Sequence, residues 1–222
     1  MSDITKGVLY IVTGQRYTEM ALASAESLKR HNPNLKVHLF TDQEIESNGP
    51  IDSIGMIADA HRRSKVDYMH KSPFEHTLFL DADTFVLENL DELFNILVRF
   101  DIALSHAHKR NKTNLQKWRE EIPLAFPQMN SGVILFRKNE KTLQLLKDWQ
   151  VAFQSTEFTR DQITLRELLW LSDLKIHILP PEYNVRFKKY IGLWTEEEAS
   201  PKILHFLEFT EFYTFLQNRK ED

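Results

Sequence analysis

Two aspartates, Asp81 and Asp83, follow the apolar run HTLFL at 76–80 and are separated only by the small Ala82. In extended backbone, side chains at i and i+2 leave the chain on the same side, so the two carboxylates can close on one cation. Their oxygens suit a hard ion such as Mg2+ or Mn2+ better than zinc or copper. Ligands of open α/β sheets bind beyond the carboxyl ends of the strands, which is where this pair falls, and a diphosphate would complete the coordination shell of a shared ion. An isolated Asp-x-Asp more often caps a helix or solvates a turn. This one has apolar flanks and sits inside a longer pattern, Ser72-Pro73-Phe74 followed by TLFLDADTFVLENLDEL.

The elements that must position this pair read as an α/β chain. GVLYIV at 7–12 is a buried strand. The stretch 17–30 carries the helix formers Met20, Leu22, Ala23, Ala25 and Leu28, and a turn at Asn32, Pro33 and Asn34 ends it. KVHLFT at 36–41 is a second strand, so the crossover implies a parallel pair. A helix over 58–71 is broken by Ser72 and Pro73, and the strand 76–80 delivers Asp81 and Asp83. A helix is expected near 90–98, a strand at 101–105, and a polar stretch without clear edges at 106–121. Strand 129–137, helices 141–153 and 161–171, and strands 175–179 and 202–205 complete the order. No internal repeat interrupts it, and one domain over 1–222 with a mixed sheet is expected.

The chain is long enough for an ordinary globular core, and its 28 Lys plus Arg against 32 Asp plus Glu provide no basic footprint for nucleic acid. With no cysteine, thiolate metal sites and disulfides are excluded. Residues 1–6 are polar and lead straight into a strand, and no apolar run approaches membrane-spanning length. A cytoplasmic location without a transmembrane segment is the expectation.

Seven blocks in order, GVLYIVTGQRYTEMALASAESL at 7–28, VHLFTD at 37–42, LFLDADTFVL at 78–87, MNSGVILF at 129–136, RDQITL at 160–165, LPPEYNV at 179–185 and KILHF at 202–206, carry a resemblance across nearly the whole chain. It resembles the nucleotide-diphospho-sugar transferases of the GT-A fold, especially the glycogenin and bacterial galactosyltransferase group. The resemblance implies a Rossmann-like domain with a central mixed, mostly parallel sheet flanked by helices. It also implies a glycosyltransferase dependent on Mn2+ (or Mg2+), using a nucleotide-sugar donor, UDP favoured, with retention of anomeric configuration.

Carried over residue by residue, the resemblance makes Asp83 the principal carboxylate ligand. It places Asp81, with Ala82 beside it, against both the ion and the donor ribose, and it makes His205 the third protein ligand. Thr13 and Tyr17 follow the first strand where the family holds the base; Tyr17 either stacks on it or packs as a surface aromatic. Lys65 stands where the family keeps a basic residue near the donor, with a solvated helix charge as the alternative. Asn130 and Ser131 match the family turn beside the donor sugar, Gly132 letting backbone come close to the ligand. Asp161 and Gln162 match the acidic residue and amide near the reacting sugar, Asp161 being also adequate as an N-cap.

His106 and His108, beside Lys109 and Arg110, read as loop residues, with acceptor or phosphate contact as the alternative. Phe206, Phe209, Phe212, Tyr213 and Phe215 have near-helical spacing and read as core packing. One departure stands out: where relatives follow the metal histidine with a Gly and a Lys that embrace the diphosphate, this chain has HFLEFTEF. Lys188, Lys189 and Lys202 are the candidates to replace that clamp. The acceptor, a glycan, lipid or protein, is not identified by any motif. A nucleotidyltransferase acting on sugar phosphates would also use carboxylate-held metals, but only Gly14 stands near the first strand where it needs a glycine-rich loop. A non-catalytic sugar-nucleotide-binding module is the other alternative.

Overall fold

Alternation along the strands decides how this chain layers. In β1 (Lys6–Ile11), continued by Val12, residues Val8, Tyr10 and Val12 enter one apolar cluster while Leu9 and Ile11 enter another; in β4 (His76–Leu80), Leu78 and Leu80 divide from Phe79 in the same way. Both faces of the sheet are therefore covered, as parallel sheets require. The computed structural model describes residues 5–46, 49–110, 116–192, 194–195 and 197–206. Helix α1 (Gln15–His31) lays Ala21, Ala25 and Leu28 on the first face. On the second face lie α2 (Ser64–Tyr68), α3 (Glu140–Gln154) and α4 (Gln162–Leu171), which contribute Val66, Leu145, Leu146, Trp149, Leu165 and Leu169.

The sheet has seven strands in the order β3-β2-β1-β4-β7-β6-β8, with β2 at Lys36–Thr41, β3 at Ser53–Met56, β6 at Ile102–His106, β7 at Met129–Arg137 and β8 at Ile176–Ile178. Strand β7 alone runs against its neighbours β4 and β6; the remaining pairs are parallel. This is the α/β, mostly parallel mixed sheet expected from the sequence. A separate two-stranded sheet pairs β5 (Thr84–Val86) antiparallel with β9 (Ile203–His205), setting Thr84 opposite His205. A bridge from Val185 to Leu204 adds a third segment to it. A short helix, α5 (Lys188–Ile191), follows that segment.

Four elements differ from the expectation. The helix expected over 58–71 is only α2 and a 3-10 turn at Met69–Lys71. Its start is held back by the His61 carbonyl, which accepts from both the Ser64 amide and the Ser64 hydroxyl. The helix expected near 90–98 is a 3-10 helix at Asp91–Val98. Strands β3 and β5 had no expected counterpart. Among the described residues no helix is long and apolar enough to cross a membrane. Phe206 packs on the cluster of Phe85, Val185 and Leu204; the other members of the expected aromatic cluster lie outside the described residues.

Candidate active site

Strand order reverses between β1 and β4, with β2 and β3 on one side and β7, β6 and β8 on the other. A crevice opens past strand ends at such a switch point. Here it is a cavity of about 530 Å3. Thr13, Tyr17, Lys65, Asp81, Ala82, Asp83, Asn130, Ser131, Asp161, Gln162 and His205 line this one cavity; Gly132 and the lysines put forward for the diphosphate do not.

Asp81 and Asp83 leave the end of β4, and the β5–β9 pairing brings His205 beside them. One ligand atom from each of the three lies within 4.8 Å of the others. His205 Nε2 stands 3.1 Å from Asp83 Oδ1 and 3.6 Å from Asp81 Oδ2. Which ring nitrogen carries the proton follows from a buried chain of hydrogen bonds. The Gly132 amide can only donate, and it donates to Asn130 Oδ1 (3.0 Å); the atom of Asn184 facing that same oxygen at 2.9 Å is therefore its NH2 group. Asn184 Oδ1 then accepts from His205 Nδ1 at 2.7 Å. Nδ1 therefore carries a proton, and Nε2 is the nitrogen turned to the two aspartates, where a bound cation would displace any proton on it, the arrangement by which outer partners orient metal-binding histidines.

Gly132 also makes room for the cluster. A Cβ there would lie 2.6 Å from Asp81 Oδ2 and 2.7 Å from His205 Nε2. The Asp81 backbone is buttressed from the opposite side. Thr84 Oγ1 donates to the Asp81 carbonyl (2.8 Å), so Ser24 Oγ donates to Thr84 (2.8 Å) and the Tyr10 hydroxyl to Ser24 (2.9 Å). Burial pushes both carboxyls of the pair upward, but Lys65 and His205 outweigh it at Asp81, and His205, helped by Arg186, outweighs it at Asp83. Both are held below the usual carboxylate range, so two anionic oxygen donors and one imidazole nitrogen face one point, a set that fits Mn2+ or Mg2+.

Lys65 is buried, not solvated. It donates to both oxygens of Asp81 (3.0 and 3.2 Å) and to the Ser131 carbonyl (3.0 Å), and it lies 3.7 Å from Asp161. Burial lowers its pKa, yet the Asp161 and Asp81 charges more than reverse this and keep it protonated. Asp161 precedes α4 but makes no side-chain capping bond. Its carboxylate, 2% exposed, accepts from the Ser131 hydroxyl at 2.6 Å and lies 3.6 Å from Arg63 Nε. Gln162 Nε2 reaches Ser131 Oγ at 3.5 Å. Tyr17 is 48% exposed at the opposite lip, where Gly14 turns the chain into α1 at φ 80° and donates its amide to Asp42 (2.7 Å).

Several participants carried no assigned role in the sequence reading. Asn184 lay in the quoted LPPEYNV block, and Arg186, two residues on, lines the cavity. Gly132 was expected to admit a ligand to the backbone; it admits the side chains of His205 and Asp81. His108 lines the cavity, packs on Phe187 with ring centroids 3.9 Å apart and bonds to the Tyr190 hydroxyl (2.8 Å). Of the lysines proposed to replace the missing clamp, Lys202 pairs with Glu88 (3.1 Å) away from the cavity, and Lys189 lies over Phe187 and Tyr190.

Comparison with known proteins agrees with this fold. Glycogenin-1 of Caenorhabditis elegans is 24% identical over 226 residues, an alignment covering 89% of this chain and 48% of that protein. The chain thus spans about half the length of this curated relative. Among solved structures, the glycosyltransferase GlyE of Streptococcus pneumoniae superposes with a TM-score of 0.61 at 17% identity, covering 91% of this chain and 54% of that one. The galactosyltransferase LgtC, solved with donor and acceptor sugar analogs, gives 0.61 at 13% identity, over 90% and 86%. These likenesses establish the GT-A fold. The match of residues 76–219 to the family described as nucleotide-diphospho-sugar transferase, a segment that holds Asp81, Asp83 and His205, shows that the chain belongs to that family.

Proposed function

We propose that this protein is a metal-dependent glycosyltransferase that moves a sugar, with retention, from a nucleotide-diphosphate donor, UDP favoured, to a glycan, lipid or protein acceptor. One observation carries the reading: two ionised carboxylates and the Nε2 atom of an imidazole converge at the switch-point cavity. Breaking the anomeric bond to a diphosphate leaves negative charge on the leaving oxygen while the sugar gains oxocarbenium character. A bound Mn2+ or Mg2+ supplies Lewis acidity to that leaving group.

In this reading Asp81, Asp83 and His205 hold the ion, and Lys65 keeps Asp81 aimed and its charge balanced. Thr13 and Tyr17 take the base, while Ala82, Asn130 and Ser131 border the ribose and donor sugar. Asp161 and Gln162 face the reacting sugar. Asp161 is enclosed by Ser131, Lys65 and Arg63, which suits a fixed negative charge against a developing cation better than a base collecting a proton from an acceptor hydroxyl. That favours retention. The absence of cysteine is compatible with the cytoplasm, where we place the activity.

Calorimetry with Mn2+ and a panel of nucleotide sugars tests the proposal. Asp83→Ala is expected to abolish metal-dependent donor binding with the fold intact, and His205→Ala to weaken Mn2+ binding less severely. Unchanged donor affinity in Asp83→Ala refutes the metal assignment. Donor binding without transfer or hydrolysis would identify a binding module instead.

A further inference from the structure

Besides Lys65 and His205, one cation among the described residues is in ion-pair contact with the aspartate pair. Arg186 Nη1 lies 3.7 Å from Asp83 Oδ2. Lys65 has its donors occupied by Asp81 and the Ser131 carbonyl. Arg186 differs: its side chain is 32% exposed into the cavity, and its contact with Asp83 is too long for a hydrogen bond. Its place is nonetheless fixed. The Val185 amide donates to the Ile203 carbonyl (2.9 Å) and the His205 amide to the Val185 carbonyl (2.9 Å), so this segment is zippered to β9. Val185 is buried in the cluster behind the site, while its neighbours Asn184 and Arg186 both turn to the metal side, one to His205 and the other to Asp83.

We infer that Arg186 is the residue that clamps the diphosphate of the donor in this chain; the assignment rests on the sugar-nucleotide reading above. A phosphate oxygen bound to a Mg2+-sized ion lies about 2 Å from it. A guanidinium beside Asp83 is thus poised to leave that carboxylate, once a cation neutralises it, for a phosphate oxygen next to the same cation. The planar fork of arginine matches phosphate with two parallel N–H donors. The chemistry recognised is a pyrophosphate linkage, whichever base and sugar flank it.

The test compares wild type, Arg186→Gln, Arg186→Lys and the control Lys189→Gln by calorimetry, titrating Mn2+ alone and then UDP, GDP and inorganic pyrophosphate at saturating Mn2+. Arg186→Gln is expected to bind Mn2+ alone as well as wild type or better, because a like charge beside the ion has gone. Its affinity for the diphosphates that wild type binds should fall on the order of tenfold to a hundredfold, as loss of charge-assisted hydrogen bonds does. Arg186→Lys should fall between the two, and Lys189→Gln should match wild type. Equal diphosphate affinity in Arg186→Gln overturns the assignment. So does a parallel loss of Mn2+ alone, which marks a merely structural role. If wild type binds none of the three with Mn2+ present, the sugar-nucleotide reading itself fails, a result seen before any variant is made.

Discussion

Adding a single methyl group at Gly132 should disable the metal centre without touching any of its ligands. In Gly132→Ala the new Cβ stands 2.6 Å from Asp81 Oδ2 and 2.7 Å from His205 Nε2, and closer still to the imidazole Cε1. Ordinary contact begins at 3.4 Å, so the carboxylate must retreat by about 0.8 Å and the ring, whose Cε1 lies 2.0 Å from the new Cβ, by about 1.4 Å. The backbone is held toward the site, because the Gly132 carbonyl accepts from the Asp81 amide at 2.8 Å, so the displacement falls on the two side chains. The ring is tethered to Asn184 and the carboxylate to Lys65. Metal–ligand distances hold to about 0.2 Å, so a displacement of this size removes a ligand from the shell. We expect Mn2+ affinity to drop by at least the tenfold to hundredfold typical of losing an outer partner, with overpacking costing about 1–3 kcal/mol of stability. Electron paramagnetic titration of Mn2+, run beside urea unfolding, reads both. Gly14→Ala is the control: its φ of 80° makes alanine strained, yet nothing lies within 4 Å of the added Cβ, so it should lose stability and keep Mn2+ affinity. Wild-type Mn2+ affinity in a folded Gly132→Ala variant would mean that the ion is not held by Asp81 and His205.

Asn184→Ala removes the acceptor that fixes the His205 tautomer; it should lower Mn2+ affinity about tenfold to a hundredfold, and nitrogen NMR of the metal-free protein should show the His205 proton no longer confined to Nδ1. An unchanged tautomer would discard the relay from Gly132 through Asn130 and Asn184. Away from the site, burial raises the Asp52 pKa, but Lys29, Lys36 and the Val37 amide outweigh it and depress the carboxyl to about 2. A depressed acid contributes stability above its unfolded pKa of about 3.9 and loses it as pH falls through the folded value. The advantage of wild type over Asp52→Asn, about 1 kcal/mol at neutral pH once solvent screening of this surface site is included, should therefore fade between about pH 4 and pH 2 in thermal melts. A gap that stays constant across that window contradicts the pairing.

Much of the frame was legible in the chain because its signals are local. Buried runs and turn residues mark β1, α1, β2, β4 and β7 as strands or helix. The extended backbone expected to aim Asp81 and Asp83 the same way is not what joins them: β4 ends at Leu80, and Ala82 and Asp83 form a turn into β5 that brings the two carboxylates together. Strands β3 and β5, with four and three residues, were missed for the complementary reason: they are too short to show a period, and hydrogen bonds to distant partners define them. The 3-10 turns at Asp91–Val98 carry the apolar spacing of a helix in Leu93, Phe94 and Leu97, so pattern alone does not separate the two.

The site divides along the same line. Sequence by itself determined a carboxylate pair at a strand terminus, an α/β frame to hold it and, through its ordered blocks, the family resemblance. Tertiary structure decided what closes on that pair. The β5–β9 ladder sets His205 opposite Thr84, and a buried amide relay holds Nδ1 so that Nε2 points inward. An absent side chain at Gly132 leaves the necessary space, and Lys65 is drawn under Asp81 instead of into solvent. Each of these depends on atoms far apart in the chain meeting within an ångström or so, and no local periodicity encodes such a meeting.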